Sequence, residues 1–379
     1  MALINYVTQV QFEHGAIKLL QAECDRLGVT RPMLVTDAGV RAAGLVDKVL
    51  AQLKNASAVG VFDQTPPNPT EAAMRVALAQ YRAGKFDGLI ALGGGSAMDL
   101  AKAVAICSVH EGPLKDFAAV EGGVARITAA TATVIAIPTT AGTGSEVGRG
   151  SMMILDDGRK VALVSPYIIP KVAICDPELT LGLPPLLTAA TGMDAITHCM
   201  ETFMSAALNF PAEGIALDGL WRGWAHIERA TKNPGDKEAR FHMMSASTQG
   251  AMTFQKGLGA VHSLSHSLGA LNPKLHHGTL NAMLLPAVIN FNSSVDSMKQ
   301  ANKLARLAQA TGLSSGTDVS PAVKAMNQRL GLPSGLGALG VTEDMYPAAI
   351  EMAMKDHCHF TNPRIATEQD YVEILREAM

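Results

Sequence analysis

FDGLIALGGGSAMDLAKAVAICS, residues 86–108, decides the fold. Its first half holds a short apolar run, Leu89 to Leu92, bounded by glycines, and its second half is alanine-rich with helical spacing. Gly93, Gly94, Gly95 and Ser96 stand at the change-over, so a buried strand is predicted to turn directly into a helix. Glycines at such a turn let backbone N–H groups approach a diphosphate at the positive end of the helix. The GGGS run departs from the six-residue G-x-G-x-x-G pattern, and a purely structural turn would use the same residues.

Outward from this stretch the pattern repeats. RPMLVTDAG (31–39) predicts a buried strand followed by a helix to about Leu53, SAVGVFD (57–63) a second strand, and PPNPT (66–70) the start of another helix. TVIAIPTTAGTGSE (133–146) reads as a strand through Pro138 opening into a Gly/Thr loop, and KVAICDPELT (171–180) supplies a strand near 171–176. Strands alternating with helices imply a mainly parallel sheet covered on both faces, because parallel strands need crossover connections. Thr139, Thr140, Thr143 and Ser145 offer hydroxyls in the second loop, and the two loops could face one crevice at the carboxyl edge of the sheet, where open α/β proteins bind ligands. Asp37, ending the first strong strand, is placed to accept from a ribose diol and to repel a 2′-phosphate, which leans towards NAD; a helix N-cap is the plainer reading. After LGLPP (181–185) helical periodicity takes over. The expected division is an α/β Rossmann-like dinucleotide-binding domain over residues 1–183 and an all-α metal-binding and substrate domain over 184–379.

Composition sets limits. A chain of 379 residues exceeds one hydrophobic core. With 48% apolar and 17% charged residues it suits a compact enzyme or a buried oligomer interface. A net charge of -3 and the lack of a Lys/Arg run argue against a nucleic-acid partner. The five cysteines are dispersed without a CxxC pair, so a disulfide framework is not expected and a reducing cytoplasm is. No signal-like N-terminus and no stretch of about 18 apolar residues argues for secretion or membrane insertion.

The helical half carries the metal chemistry. TGMDAITHCMETF (191–203) sets Asp194 and His198 one turn apart, GLGAVHSLSHSLGAL (257–271) does so for His262 and His266, and KLHHGTLNAMLLP (274–286) follows with His276 and His277. Residues i and i+4 share a helix face, so Asp194 and His198, with His262 and either His266 or His277, could close around one divalent cation. A carboxylate with imidazoles and no thiolate suits Fe(II), Zn(II), Ni(II) or Co(II). Scattered polar residues on amphipathic helices are the alternative.

GGGSAMDLAKA, PTTAGTGSEV, DPELTLGLP, GMDAITHCMETF, GLGAVHSLSHSLGAL and HHGTLNAMLLP, in this order, resemble the iron-containing (group III) alcohol dehydrogenase family over nearly the whole chain. The resemblance implies a dehydroquinate synthase-like architecture, NAD(H), and one divalent metal, Fe2+ before Zn2+, on Asp194, His198, His262 and His277. It makes His266 a non-ligand histidine near the nicotinamide and a candidate proton relay. It also brings Asp99, Lys160 and Leu181 to the cofactor beside Gly93, Gly94, Gly95, Ser96, Thr139, Thr140, Thr143 and Ser145. The segment before the HG pair is one residue longer than the family pattern, which keeps His276 as an alternative to His277. A homodimer or larger assembly is implied too.

Within that family the match is densest with 4-hydroxybutyrate dehydrogenases, in runs such as VARITAATA (124–132), FQKGLG (254–259), GVTEDM (340–345) and DHCHFTNP (356–363). The implied reaction interconverts 4-hydroxybutyrate and succinic semialdehyde. A substrate carboxylate needs a cation, and Lys256 and Arg149 are the candidates. Cys358, between His357 and His359, is a poor nucleophile candidate, since adjacent helix residues do not face one another. The alternatives are a general short-chain alcohol dehydrogenase without carboxylate preference, a glycerol-1-phosphate or dehydroquinate synthase-like enzyme, and a non-enzymatic sensor.

Overall fold

The computed structural model describes residues 8–379, which group into two compact units. One holds residues 8–140 together with 144–182; the other holds 183–379 and takes in Ala141–Thr143.

In the first unit the strands are β1 (Gln9–Phe12), β2 (Pro32–Val35), β3 (Gly60–Phe62), β4 (Gly88–Gly93), β5 (Val134–Pro138), β6 (Gly150–Ile154), β7 (Lys160–Val164) and β8 (Val172–Cys175). Its helices are α1 (Leu20–Leu27), α2 (Ala38–Ala42), α3 (Leu45–Leu50), α4 (Glu71–Ala83) and α5 (Gly95–Cys107). Six strands pair in parallel in the order β1-β8-β5-β4-β2-β3. Because side chains alternate along a strand, the sheet buries both faces. Met33, Val35, Leu89 and Ala91 pack towards α4 and α5, while Leu34, Ile90 and Leu92 pack towards α1 and α3.

Two sequence expectations change here. The single helix to Leu53 is two short ones, broken where Gly44 adopts a left-handed φ of 73°. β1 and the antiparallel β6–β7 hairpin were not expected. The hairpin strands alternate in burial around an Asp-Asp-Gly turn, a period-two signal legible in the sequence. β1 is only four residues long and is specified by its pairing with β8.

The second unit is helical, with no strand among its described residues. Its helices are α6 (Pro185–Met204), α7 (Phe210–Lys232), α8 (Lys237–Met252), α9 (Ala260–Leu271), α10 (His277–Asn292), α11 (Asp296–Gln300), α12 (Lys303–Thr311), α13 (Val319–Arg329), α14 (Tyr346–Lys355) and α15 (Glu368–Glu377). α6 starts on Pro185, where a missing N–H costs nothing, and is buried continuously from Thr188 to Met204. Pro286 lies inside α10 and cannot donate to Ala282; the Asn327 Nδ2 donates to that carbonyl at 2.7 Å instead. Helices α6, α9 and α10 carry His198, His262, His266 and His277.

Candidate metal centre

Asp194 and His198 lie one turn apart on α6, His262 on the first turn of α9, and His277 at the first position of α10. From Asp194 Oδ1 the Nε2 atoms of His198, His277 and His262 are 3.5, 3.6 and 3.8 Å away. Donors each about 2.1 Å from one ion stand at roughly such separations, so Asp194, His198 and His262, which lie close to one another, fit a divalent metal, with His277 Nε2 beside Asp194. Asp194, His198 and His262 are buried, and burial holds the His198 pKa down to about 4, leaving the neutral imidazole that a metal requires. His277, not His276, is the histidine whose Nε2 joins the group.

Gly278 explains the HG pair physically. A Cβ there would stand 2.3 Å from the Ala190 carbonyl and 3.2 Å from the Asp194 Cβ, so only glycine lets α10 approach α6 beside the carboxylate.

Two residues that the sequence reading missed complete the centre. Glu201, buried, accepts from His262 Nδ1 at 2.5 Å and from the Val261 N–H at 2.8 Å. Holding the proton on Nδ1 leaves Nε2 as the donor nitrogen. Burial opposes charge on His262, but the Glu201 hydrogen bond and the neighbouring carboxylates raise its pKa above the ordinary value. Asn281, fully buried, donates to Asp194 Oδ1 at 2.7 Å, with its Nδ2 3.2 Å from His262 Nε2 and 3.1 Å from His277 Nε2. Helical spacing could have found both: Glu201 is seven residues after Asp194, and Asn281 four after His277.

His266, one turn beyond His262, stacks parallel to His277 at 5.3 Å between ring centres, and its Nδ1 is 2.9 Å from Asp356 Oδ2. Lys256 corrects an expectation. It is buried, and its ammonium donates to the Phe203 carbonyl at 3.3 Å and to that of Ser205, with Glu213 at 3.5 Å. It is thus committed to the negative end of α6, together with Lys303, rather than offered to a substrate. Cys358 is fully buried and its thiol pKa is pushed up by burial, which removes it as a nucleophile.

In the first unit the glycine loop is built as expected. Gly94 caps α5, and a Cβ on it would lie 3.3 Å from Thr140 Oγ1, so the two loops after β4 and β5 lie side by side. Gly93 has φ 150°, and a Cβ there would meet Ala97 at 2.9 Å and Asp37 Oδ2 at 3.5 Å. Asp37 caps α2 through Oδ1, accepting from Val40 N at 2.9 Å, and keeps Oδ2 towards this loop. Thr139 N donates to the Gly93 carbonyl, and the Ser96 hydroxyl to the Pro67 carbonyl. Asp99 accepts from Ser145 Oγ at 2.8 Å and Met152 N at 3.0 Å. Beneath them the buried Lys102, unforeseen from sequence, donates to the Ser145, Gly148 and Gly150 carbonyls and pins the loop. Lys160 donates to Asn68 Oδ1 at 3.1 Å, Leu181 closes the turn after Asp176, and Thr143 groups with the helical unit. Arg149 is exposed.

The chain matches two family models, iron-containing alcohol dehydrogenase over residues 7–177 and the C-terminal region of the Fe-containing alcohol dehydrogenase family over 188–379. It is 56% identical to the 4-hydroxybutyrate dehydrogenase of Cupriavidus necator, covering 100% of both chains. Its fold is similar to a 1,3-propanediol oxidoreductase, with TM-score 0.92, 34% identity and 100% of both chains covered. It is also similar to the sulfoacetaldehyde reductase of Bifidobacterium kashiwanohense in complex with NAD+, with TM-score 0.90, 25% identity and 100% and 98% of the two chains covered. With both halves matched, the chain belongs to the iron-containing alcohol dehydrogenase family, as an NAD-dependent oxidoreductase that uses one divalent metal.

Proposed function

We propose that this chain interconverts 4-hydroxybutyrate and succinic semialdehyde, holding the metal on Asp194, His198, His262 and His277. The observation that carries the reading is the 56% identity, over the full length, to a relative named for that substrate. When bound, the metal supplies a Lewis acid for the substrate oxygen and the nicotinamide supplies the hydride acceptor. Glu201 keeps His262 turned towards the centre, and Asn281 steadies the Asp194 carboxylate. His266 takes the alcohol proton in the oxidation direction. In the domain of residues 1–183, Gly93 to Ser96, Thr139, Thr140 and Ser145 line the cofactor's diphosphate at the start of α5, with Asp99 and Lys102 bracing the second loop, Thr143 beyond it and Asp37 for the ribose. Lys160 and Leu181 complete the cofactor's surroundings.

Of the two cations considered for the substrate carboxylate, Arg149 remains, since it is exposed while Lys256 is bound to α6. The second reading, a general short-chain alcohol dehydrogenase, is favoured by that engagement of Lys256. NADH oxidation with succinic semialdehyde and with butyraldehyde, on enzyme loaded with Fe(II) or Zn(II), separates them. A preference for the semialdehyde that is lost in Arg149→Ala supports the hydroxyacid; equal turnover leaves the general dehydrogenase. We also place the chain in the cytoplasm as a homodimer or larger assembly. All five cysteines are buried and none is in a disulfide, and no described helix is long and apolar enough to cross a membrane.

A further inference from the structure

α9 carries two histidines one turn apart, and each is held at Nδ1 by a carboxylate from a different element. Glu201 of α6 holds His262 at 2.5 Å; Asp356, just beyond α14, holds His266 at 2.9 Å. The first pairing leaves Nε2 of His262 for the metal. We propose that the second pairing makes Asp356 the positioning residue of His266, fixing the tautomer in which Nε2 has the lone pair that receives the alcohol proton.

The geometry is specific. Asp356 Oδ1 accepts from the Cys358 N–H at 2.7 Å and Oδ2 from His266 Nδ1, so both oxygens act as acceptors and the carboxylate is oriented from its own backbone. Burial works against charge on Asp356, but the hydrogen bonds it accepts from His266 Nδ1 and the Cys358 N–H favour the ionised carboxylate. An ionised carboxylate has no proton to give, and the shared hydrogen must therefore sit on His266 Nδ1. With one ring nitrogen so protonated, the neutral ring keeps its lone pair on Nε2. His277 stacks on the ring at 5.3 Å and His357 on it at 6.1 Å, with His357 Nδ1 3.5 Å from Asp356 Oδ1, which limits rotation of the imidazole. Asp356, His266 and Cys358 could in principle bind a second cation. With both carboxylate oxygens engaged and the thiol pKa raised, a hydrogen-bonded pair is the better account.

In oxidation the alcohol O–H bond breaks, its proton bonds to His266 Nε2, and the C–H electron pair leaves with its hydrogen to NAD+, the oxidant of the family's reaction. The imidazolium that results remains paired with the Asp356 carboxylate, which lowers the energy of that charge.

The inference rests on His266 as proton acceptor, and the test separates the two. Asp356→Asn keeps an oxygen for the Cys358 N–H but turns an amide donor towards His266, favouring the opposite tautomer. The expected result is a kcat lower by roughly 10–100-fold with the KM for NAD unchanged and metal content retained. In a His266→Ala background the same substitution should cost nothing further. Asp356→Glu should recover part of the loss. Spectra of 15N-histidine-labelled protein read the tautomer directly and should move the His266 proton from Nδ1 to Nε2 in Asp356→Asn. An unchanged tautomer, or an equal loss in native and His266→Ala backgrounds, overturns the positioning role. Undiminished activity of His266→Ala itself overturns the proton-acceptor reading beneath it.

Discussion

At the residue scale the centre depends on side chains that never meet a substrate. Glu201→Gln keeps the shape of the side chain but removes the charge that holds the proton on His262 Nδ1. Metal affinity, measured by competition with a chromophoric chelator, should weaken by roughly 10–100-fold while the protein stays folded. Lys256 carries a different prediction. Burial, then repulsion from Lys303, lowers its pKa to about 7, against 10.5 for the free side chain. Between those values the unfolded chain holds the extra proton, so the contribution of Lys256 to stability grows as pH rises through that window and is lost as pH falls through about 7. Urea midpoints of native protein and Lys256→Met should therefore diverge in favour of native between pH 7 and pH 9; a constant difference would contradict the burial account. Lys256 also shows what sequence cannot convey. Its charge and its place six residues before His262 were visible, but not that it lies under the carbonyls ending α6.

At the element scale, close approach of helices sets the ligand geometry. Gly278→Ala would drive a Cβ to within 2.3 Å of the Ala190 carbonyl, forcing α10 away from α6 or strain into both. Overpacking of this kind costs about 1–3 kcal/mol, and the displacement should also open the distance from His277 to Asp194. Thermal melting and elemental analysis of bound metal should show both losses together; a variant as stable and as metal-replete as native would refute the packing argument. Helix faces were legible, since i, i+4 and i+7 spacing already aligns Asp194, His198 and Glu201. Which helix would supply the fourth ligand was not, because spacing alone left His266, His276 and His277 open.

At the scale of the whole molecule, a metal on the proposed ligands would join α6 to the consecutive helices α9 and α10, which come later in the chain. Anything that binds the native state alone stabilises it, by about 2.7 kcal/mol at a hundredfold excess over Kd. Stripping the metal with a chelator should therefore lower the melting temperature of the helical unit and leave the parallel sheet unit little changed, as followed by calorimetry; coincident shifts of every transition would argue for a different coupling. The sequence by itself determined the class of fold, because apolar periodicity is local: β-branched runs punctuated by glycine read as buried strands, and long Ala/Met/Leu stretches as helices. It determined the chemistry of the donor set too, since ligand types and helical spacing are written in single segments. Tertiary structure alone decided the strand order, the pairing of β1 with β8, the capture of Lys256 by α6, which histidine Glu201 would meet, and the carboxylate behind His266. Those contacts join residues from about 50 to more than 160 positions apart, and no local pattern records which distant partner will meet a buried polar group that must be satisfied.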